Sequence, residues 1–119
     1  MTKITSYKEL IVWQKSMELA KVIYALTSKL PKNEVYGIVS QMQRSAVSIP
    51  SNIAEGHKRG TRKDYSQFLR MALGSAAELE TQIILVQDIY KPIEVKESIN
   101  LVIEVQKILT VIIKKLQSA

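Results

Sequence analysis

The sequence predicts an all-α fold, an up-down-up-down antiparallel four-helix bundle that forms a single domain over residues 1–119. Apolar residues recur at steps of three and four along most of the chain, a spacing that places them on one face of a helix. Pro31, the Gly60-Thr61 pair and Pro92 interrupt this pattern at short connections. The predicted helices span about residues 7–30, 34–57, 62–90 and 93–117.

The first and fourth predicted helices have more apolar surface than one core needs. The first opens with a capping box, in which Ser6 is the N-cap and Glu9 reaches back to it. Each of the two helices then carries two apolar rows. Since symmetric self-association is the commonest way to cover such surface, the sequence predicts a homo-oligomer. The rows are Leu10, Trp13, Met17, Ala20, Tyr24 and Val12, Leu19, Ile23, Leu26, Leu30 in the first helix, and Val95, Ile99, Val102, Leu109, Ile113, Leu116 and Leu101, Val105, Ile108, Ile112 in the fourth.

The second predicted helix, with Asn33 as its N-cap, carries a polar row beside its apolar face. The row consists mostly of short hydrogen-bonding side chains rather than Lys and Glu, which favours a semi-buried surface at a helix contact or subunit interface. Pro50 lies inside this helix and predicts a kink near residues 46–50. The apolar face is Ile38, Met42, Ala46, Ile49 and Ile53, and the polar row is Gln41, Arg44, Ser48, Asn52 and Glu55.

The third predicted helix carries the most regular heptad pattern of the chain, which predicts its buried face. The pattern is Tyr65, Leu69, Ala72, Ala76, Leu79, Ile83, Val86 and Tyr90. Gly74 lies in its middle, where glycine costs about 1 kcal/mol relative to alanine. This cost predicts close packing of a neighbouring backbone, that of the second helix, against Gly74.

The sequence favours a non-enzymatic protein without metal or cofactor. It has no cysteine and one histidine, His57, which we expect to be solvated in an exposed loop. A carboxylate-bridged metal site in a bundle needs Glu-x-x-His, and Ala54 stands three residues before His57. Glu78 and Glu80 lie on nearly opposite helix faces, so they cannot act as a pair within one subunit. We expect the charges at Glu55, Glu78, Glu80, Arg44 and Arg70 to form structural pairs with each other or with the polar row of the second helix, with a carboxylate site lining a cavity or pore of an oligomer as the alternative.

A cluster of basic residues lies between the second and third predicted helices. The net charge is +6, and residues 57–63 alone contribute four cations and no acidic group. The remaining chain has thirteen basic against eleven acidic residues. Such a cluster is either a solvated turn or a phosphate-binding surface. Its residues are Lys58, Arg59, Arg62 and Lys63.

The chain has no secretory apolar region at its start and no run near the roughly 20 apolar residues of a membrane span. We therefore expect a soluble cytoplasmic protein without a membrane partner.

Several segments resemble the bacterial four-helix-bundle family encoded by intervening sequences within 23S ribosomal RNA genes. The similarity covers about residues 7–90 and is most specific at Ser48-Ile49-Pro50-Ser51-Asn52-Ile53-Ala54-Glu55-Gly56. Members of that family are similar to the accessory protein of diversity-generating retroelements, a basic homopentamer that associates with nucleic acid and a reverse transcriptase. The resemblance implies a five-fold ring. Many relatives have an aromatic residue where this chain has His57, which weakens a stacking role at that position.

These observations lead to one main hypothesis and two alternatives. The main hypothesis is an oligomeric protein that binds nucleic acid, with RNA favoured, through phosphate contacts from the basic cluster. The first alternative is a scaffold ring whose partner is another protein, such as a polymerase or reverse transcriptase. The second, an enzyme or metal-binding bundle, has the least support from the residues.

Overall fold

The computed structural model describes residues 6–118, and within that range the regular structure is entirely helical. Each helix packs against the next along the chain, and the first also packs against the fourth. Because the connections are short, consecutive helices run in opposite directions around one core. The four α-helices are α1 (Ile11–Thr27), α2 (Ser40–Arg59), α3 (Arg62–Ile89) and α4 (Lys96–Gln117).

The core takes one side of every helix, as the apolar spacing predicts. On α4 it takes residues from both predicted rows, including Val102 and Val105, which are fully buried. The largest side chains with no exposed surface are Leu19, Ile23, Met42, Ile49, Ile53, Leu69, Leu79, Ile83 and Leu109.

The exposed apolar surface is not concentrated where the sequence predicted it. On α4 the large exposed apolar side chain is Val111, and both predicted rows are buried or half-buried, so the exposed apolar excess on this helix is smaller than predicted. Helix α3 carries four large exposed apolar side chains, Met71 (52% exposed), Ile84, Leu85 (46%) and Ile89 (60%). In the first predicted row of the first helix, Leu10, Trp13, Met17 and Ala20 are half-buried and Tyr24 is 48% exposed.

The N-terminal segment forms a separate turn before α1. Ser6 caps a 3₁₀ turn at Tyr7–Glu9, accepting a hydrogen bond from the Lys8 backbone N–H at 3.1 Å. Leu10 is extended (φ −71°, ψ 127°), so the helix starts again at Ile11. Ser6 is confirmed as an N-cap, but of this turn and not of α1, and the continuous helix predicted from residue 7 is wrong.

The connection from α1 to α2 is longer than predicted. Asn33 lies inside a 3₁₀ turn at Lys32–Glu34 and caps no helix, so that prediction is wrong. The backbone of Gly37 (φ −110°, ψ −116°) is non-helical, which delays the start of α2 to Ser40. The Tyr90 hydroxyl donates to the Glu34 carboxylate across this end of the bundle, and this hydrogen bond, burial and the carboxylate charge raise the pKa of Tyr90.

Helix α2 continues as a single element through Pro50, which is buried. Pro50 cannot donate a backbone hydrogen bond, and the next two residues add side-chain bonds to the preceding turn. The Ser51 hydroxyl donates to the Val47 carbonyl at 2.8 Å, and the Asn52 amide donates to the Ser48 carbonyl at 2.8 Å. The bend predicted at Pro50 stays a prediction.

A close approach between α2 and α3 occurs at Gly56, not at Gly74. A Cβ added to Gly56 would lie 2.6 Å from the Cβ of Phe68 and 3.3 Å from Cδ1 of Tyr65. A Cβ added to Gly74 would meet no heavy atom within 4 Å among the described residues, because Gly74 faces outward. The predicted packing of α2 against Gly74 is therefore wrong within one subunit.

Replacing Gly74 with alanine is expected to stabilise the chain by up to about 1 kcal/mol. The position is exposed within a long helix, so the alanine restricts the unfolded chain without creating a clash. Urea unfolding followed by circular dichroism measures the change. A loss of stability would contradict this expectation and indicate that another molecule packs on Gly74.

Candidate nucleic-acid interface

The basic cluster occupies the tight connection between α2 and α3. Lys58 and Arg59 belong to the last turn of α2, and Arg62 and Lys63 belong to the first turn of α3. Gly60 ends α2 in the left-handed conformation (φ 86°), which glycine adopts without steric strain. Thr61 then caps α3, accepting from the Asp64 backbone N–H at 3.1 Å, as the sequence predicted. All four cations are exposed at one end of the bundle.

Arg59 is held by contacts within its own subunit. Its guanidinium lies 2.9 Å from the Glu55 carboxylate, one helical turn earlier, and 5.0 Å from the centre of the Phe68 ring. The ion pair and the ring contact both engage the guanidinium, although the side chain is 52% exposed, and the carboxylate offsets its charge. Arg59 is therefore a weaker candidate for phosphate binding than its neighbours.

Arg62 and Lys63 instead line an open groove between the start of α3 and the end of α4. The groove has a volume of about 650 Å³. Arg70 lies two turns along α3 from Arg62 and adds a third cation, which sequence analysis had assigned to a structural ion pair. The lining residues are Arg62, Lys63, Ser66, Gln67, Arg70, Leu116 and Gln117.

The end of α4 contributes further positive charge to this end of the bundle. Lys114 and Lys115 lie in its last helical turn and are exposed. Lys114 and Lys115 are far from residues 58–63 in the sequence. The antiparallel packing of α4 against α3 brings the two segments to the same end of the bundle.

His57 does not lie in an exposed loop, so that expectation is wrong. It is half-buried in α2, and its ring packs edge-on against Tyr65 with the ring centres 5.7 Å apart. Partial burial raises the pKa of the Tyr65 hydroxyl. Both aromatic residues that follow the basic cluster, Tyr65 and Phe68, are thus in contact with α2 side chains.

The centre of the polar row of α2, Ser48 and Asn52, lies along its contact with α3, together with the neighbouring Ser45. The Ser48 and Ser75 hydroxyls are 2.8 Å apart, and the Ser45 hydroxyl donates to the Glu78 carboxylate at 3.3 Å. Asn52 donates to Ser48 and is half-buried. At the ends of the row, Gln41, Arg44 and Glu55 are exposed. The expected semi-buried surface is therefore present at its centre.

Among the described residues, none of the expected charges pairs with another of that set; Glu55 pairs instead with Arg59, and Glu78 bonds to Ser45 beside the polar row of α2. Within residues 6–118 the ion pairs are Glu55 with Arg59 and Lys15 with Glu104. Glu80 accepts a hydrogen bond from the Gln106 amide on α4 at 2.8 Å, while Glu78 points toward α2. The two carboxylates thus serve different helix contacts, as their opposite faces predict.

The comparison with protein families agrees with the resemblance seen in the sequence. Residues 8–113 match the model of the family described as 23S rRNA-intervening sequence protein. This chain belongs to that family.

The fold of this member of the 23S rRNA-intervening sequence protein family is similar to that of a protein from Bacteroides thetaiotaomicron whose crystal structure is known. That protein is described as one of unknown function from the S23 ribosomal protein family. It is 30% identical to this chain, and the alignment covers 87% of this chain and 99% of the other, with a TM-score of 0.79. No curated protein matches the chain.

The helices and the acidic side chains of this family member bear on membrane and metal binding. In the part of the chain that the structure describes, no helix is long and apolar enough to cross a bilayer. Over the same residues, no three His, Cys, Asp or Glu side chains come together as metal ligands would.

Proposed function

We propose that this chain is a non-enzymatic protein that binds nucleic acid, with RNA as its ligand, and that it works as a homo-oligomer. The observation that carries the proposal is the concentration of exposed cations at one end of the bundle. Lys58, Arg62 and Lys63 are joined there by Arg70 from α3 and by the two lysines at the end of α4. Phosphate contacts from such a surface give binding that is strong at low salt and independent of sequence.

Self-association is the second part of the proposal, and the outer face of α3 supports it. Met71 and Ile89 are 18 residues apart, which is five full helical turns, and Leu85 lies one turn before Ile89. These side chains are 46–60% exposed and share one face with Gly74. Exposed apolar surface of this kind is typical of a protein interface. Each added subunit repeats the basic end, so that several weak phosphate contacts act together.

The test replaces the four residues of the basic cluster with alanine. We expect the variant K58A/R59A/R62A/K63A to bind a structured RNA at least tenfold more weakly in 100 mM salt, because phosphate contacts are lost. The slope of log affinity against log salt concentration should also become shallower. Fluorescence anisotropy at several salt concentrations measures both quantities.

A matched control removes four exposed lysines from the opposite end of the bundle, Lys21, Lys29, Lys32 and Lys96. The control lowers the net charge equally, so its smaller effect would show that position matters and not total charge. Unchanged affinity and salt slope in the cluster variant would contradict the proposal. That result would favour the scaffold hypothesis, with a polymerase or reverse transcriptase as the protein partner.

A further inference from the structure

The cations of the basic cluster form two pairs that interact in opposite ways with the dipoles of their helices. Lys58 and Arg59 lie at the C-terminus of α2, where positive charge stabilises the helix dipole. Arg62 and Lys63 lie at the N-terminus of α3, where positive charge opposes it. Helix stability therefore accounts for the first pair and not for the second. Residues that break a local stability rule are often found at functional sites.

The second group continues along α3 as a regular row. Arg62, Ser66 and Arg70 follow at steps of four, so they lie on the same side of the helix and line the groove against α4. At a rise of 1.5 Å per residue, the row is about 12 Å long, which is enough to contact several phosphates of one strand. Lys63 and Gln67 lie beside it and add a cation and a hydrogen-bonding amide.

Among the residues that the structure describes, the lining of the groove includes no aromatic side chain on which a base would stack. Its lining comprises three cations, polar side chains and Leu116. The aromatic residues nearby in sequence, Tyr65 and Phe68, are in contact with His57 and Arg59. Proteins that bind single strands combine a positive groove with stacking platforms, whereas binding to a duplex without sequence preference needs only backbone contacts.

We infer that the α3–α4 groove is a binding site for the phosphate backbone of double-helical RNA. Arg62, Lys63 and Arg70 bind consecutive phosphates of one strand, and Ser66 and Gln67 donate hydrogen bonds to them. Arg59 stays paired with Glu55 and takes no part. This inference rests on the proposed function and assigns it a location and a class of RNA.

The experiment compares two RNA probes and three variants by fluorescence anisotropy in 100 mM salt. The probes are a 20-base-pair RNA duplex and oligouridylate of 20 nucleotides. The groove variant is R62Q/R70Q, the paired-arginine variant is R59Q, and K21Q/K29Q removes two exposed lysines at the other end of the bundle. Thermal unfolding followed by circular dichroism shows that each variant is folded.

We expect the wild-type chain to bind the duplex at least tenfold more tightly than oligouridylate. The groove variant should lose on the order of ten- to a hundredfold in duplex affinity, and its salt slope should fall by about 2, because two phosphate contacts are removed. R59Q and K21Q/K29Q should each lose less than about threefold, because they remove no groove contact.

The possible failures can be told apart. Wild-type binding to neither probe would overturn the proposed function and the groove with it. Duplex binding that R62Q/R70Q leaves unchanged, while K58A/R59A/R62A/K63A weakens it, would overturn the groove alone. Equal or tighter binding to oligouridylate would overturn the assignment to double-helical RNA.

Discussion

Replacing Gly56 with alanine destabilises the folded chain by about 1–3 kcal/mol, although alanine is the better helix former. The new methyl carbon would lie 2.6 Å from the Cβ of Phe68, and a Cβ cannot move aside without its backbone. Relief of the clash therefore requires α2 and α3 to separate where they enclose His57, Tyr65 and Phe68. Urea unfolding followed by circular dichroism measures the loss.

Gly74→Ala is the matched control for this substitution. It introduces the same methyl group into an α-helix, at a position where the described residues leave open space. The two variants should therefore change the free energy of unfolding in opposite directions. Equal effects at both positions would contradict the close approach of α3 to Gly56.

The contrast between these glycines marks the limit of the sequence analysis. Both lie within segments with helical periodicity, and the helix propensity of glycine is the same at each. Gly74 faces outward from α3, whereas Gly56 is buried and lies against Phe68 of α3. The heptad pattern of α3 already places Gly74 away from its buried residues, but the residue that faces Gly56 depends on the register between α2 and α3, which periodicity does not fix.

Periodicity was sufficient for most of the bundle. The heptad pattern of α3 correctly assigned Leu69, Ala72, Ala76, Leu79, Ile83 and Val86 to the core. The errors concern helix starts, at Leu10 and at residues 32–39, where the chain adopts turns that apolar spacing does not reveal. The apolar excess on the fourth helix is smaller than predicted, because α1 and α3 flank α4 and cover most of both rows, leaving Ile99, Ile108, Ile112 and Leu116 half-buried.

Only some residues of the candidate site could be predicted from the sequence. The residues at 58, 59, 62 and 63 stand out because they are close together in the chain. Arg70 is separated from these residues in the chain and was therefore assigned to a structural ion pair, although the helical repeat places it two turns from Arg62. The separation of Arg59 from the other cations depends on Glu55 and Phe68, which only the folded structure brings around it.

The variant L85E/I89E is expected to dissociate the proposed oligomer. These side chains are 46% and 60% exposed on α3, and burying each in an interface contributes about 1 kcal/mol per copy. If the subunits associate, a carboxylate at either position loses its hydration, which costs free energy. Association is therefore weakened or prevented. We expect the dissociation constant to rise at least about tenfold per interface. Light scattering coupled to size-exclusion chromatography measures the mass at micromolar concentration.

A control with the same two substitutions elsewhere separates the loss of this face from a general effect of added charge. Ile11 (64% exposed) and Val111 (51% exposed) lie on α1 and α4 and are replaced in the variant I11E/V111E. If α3 forms the interface, this control remains an oligomer while L85E/I89E becomes a monomer.

RNA affinity should then fall for L85E/I89E even though every cation is retained, because the basic ends are no longer held together. A monomeric wild-type chain at micromolar concentration would contradict self-association, and RNA binding would then have to come from one basic end alone.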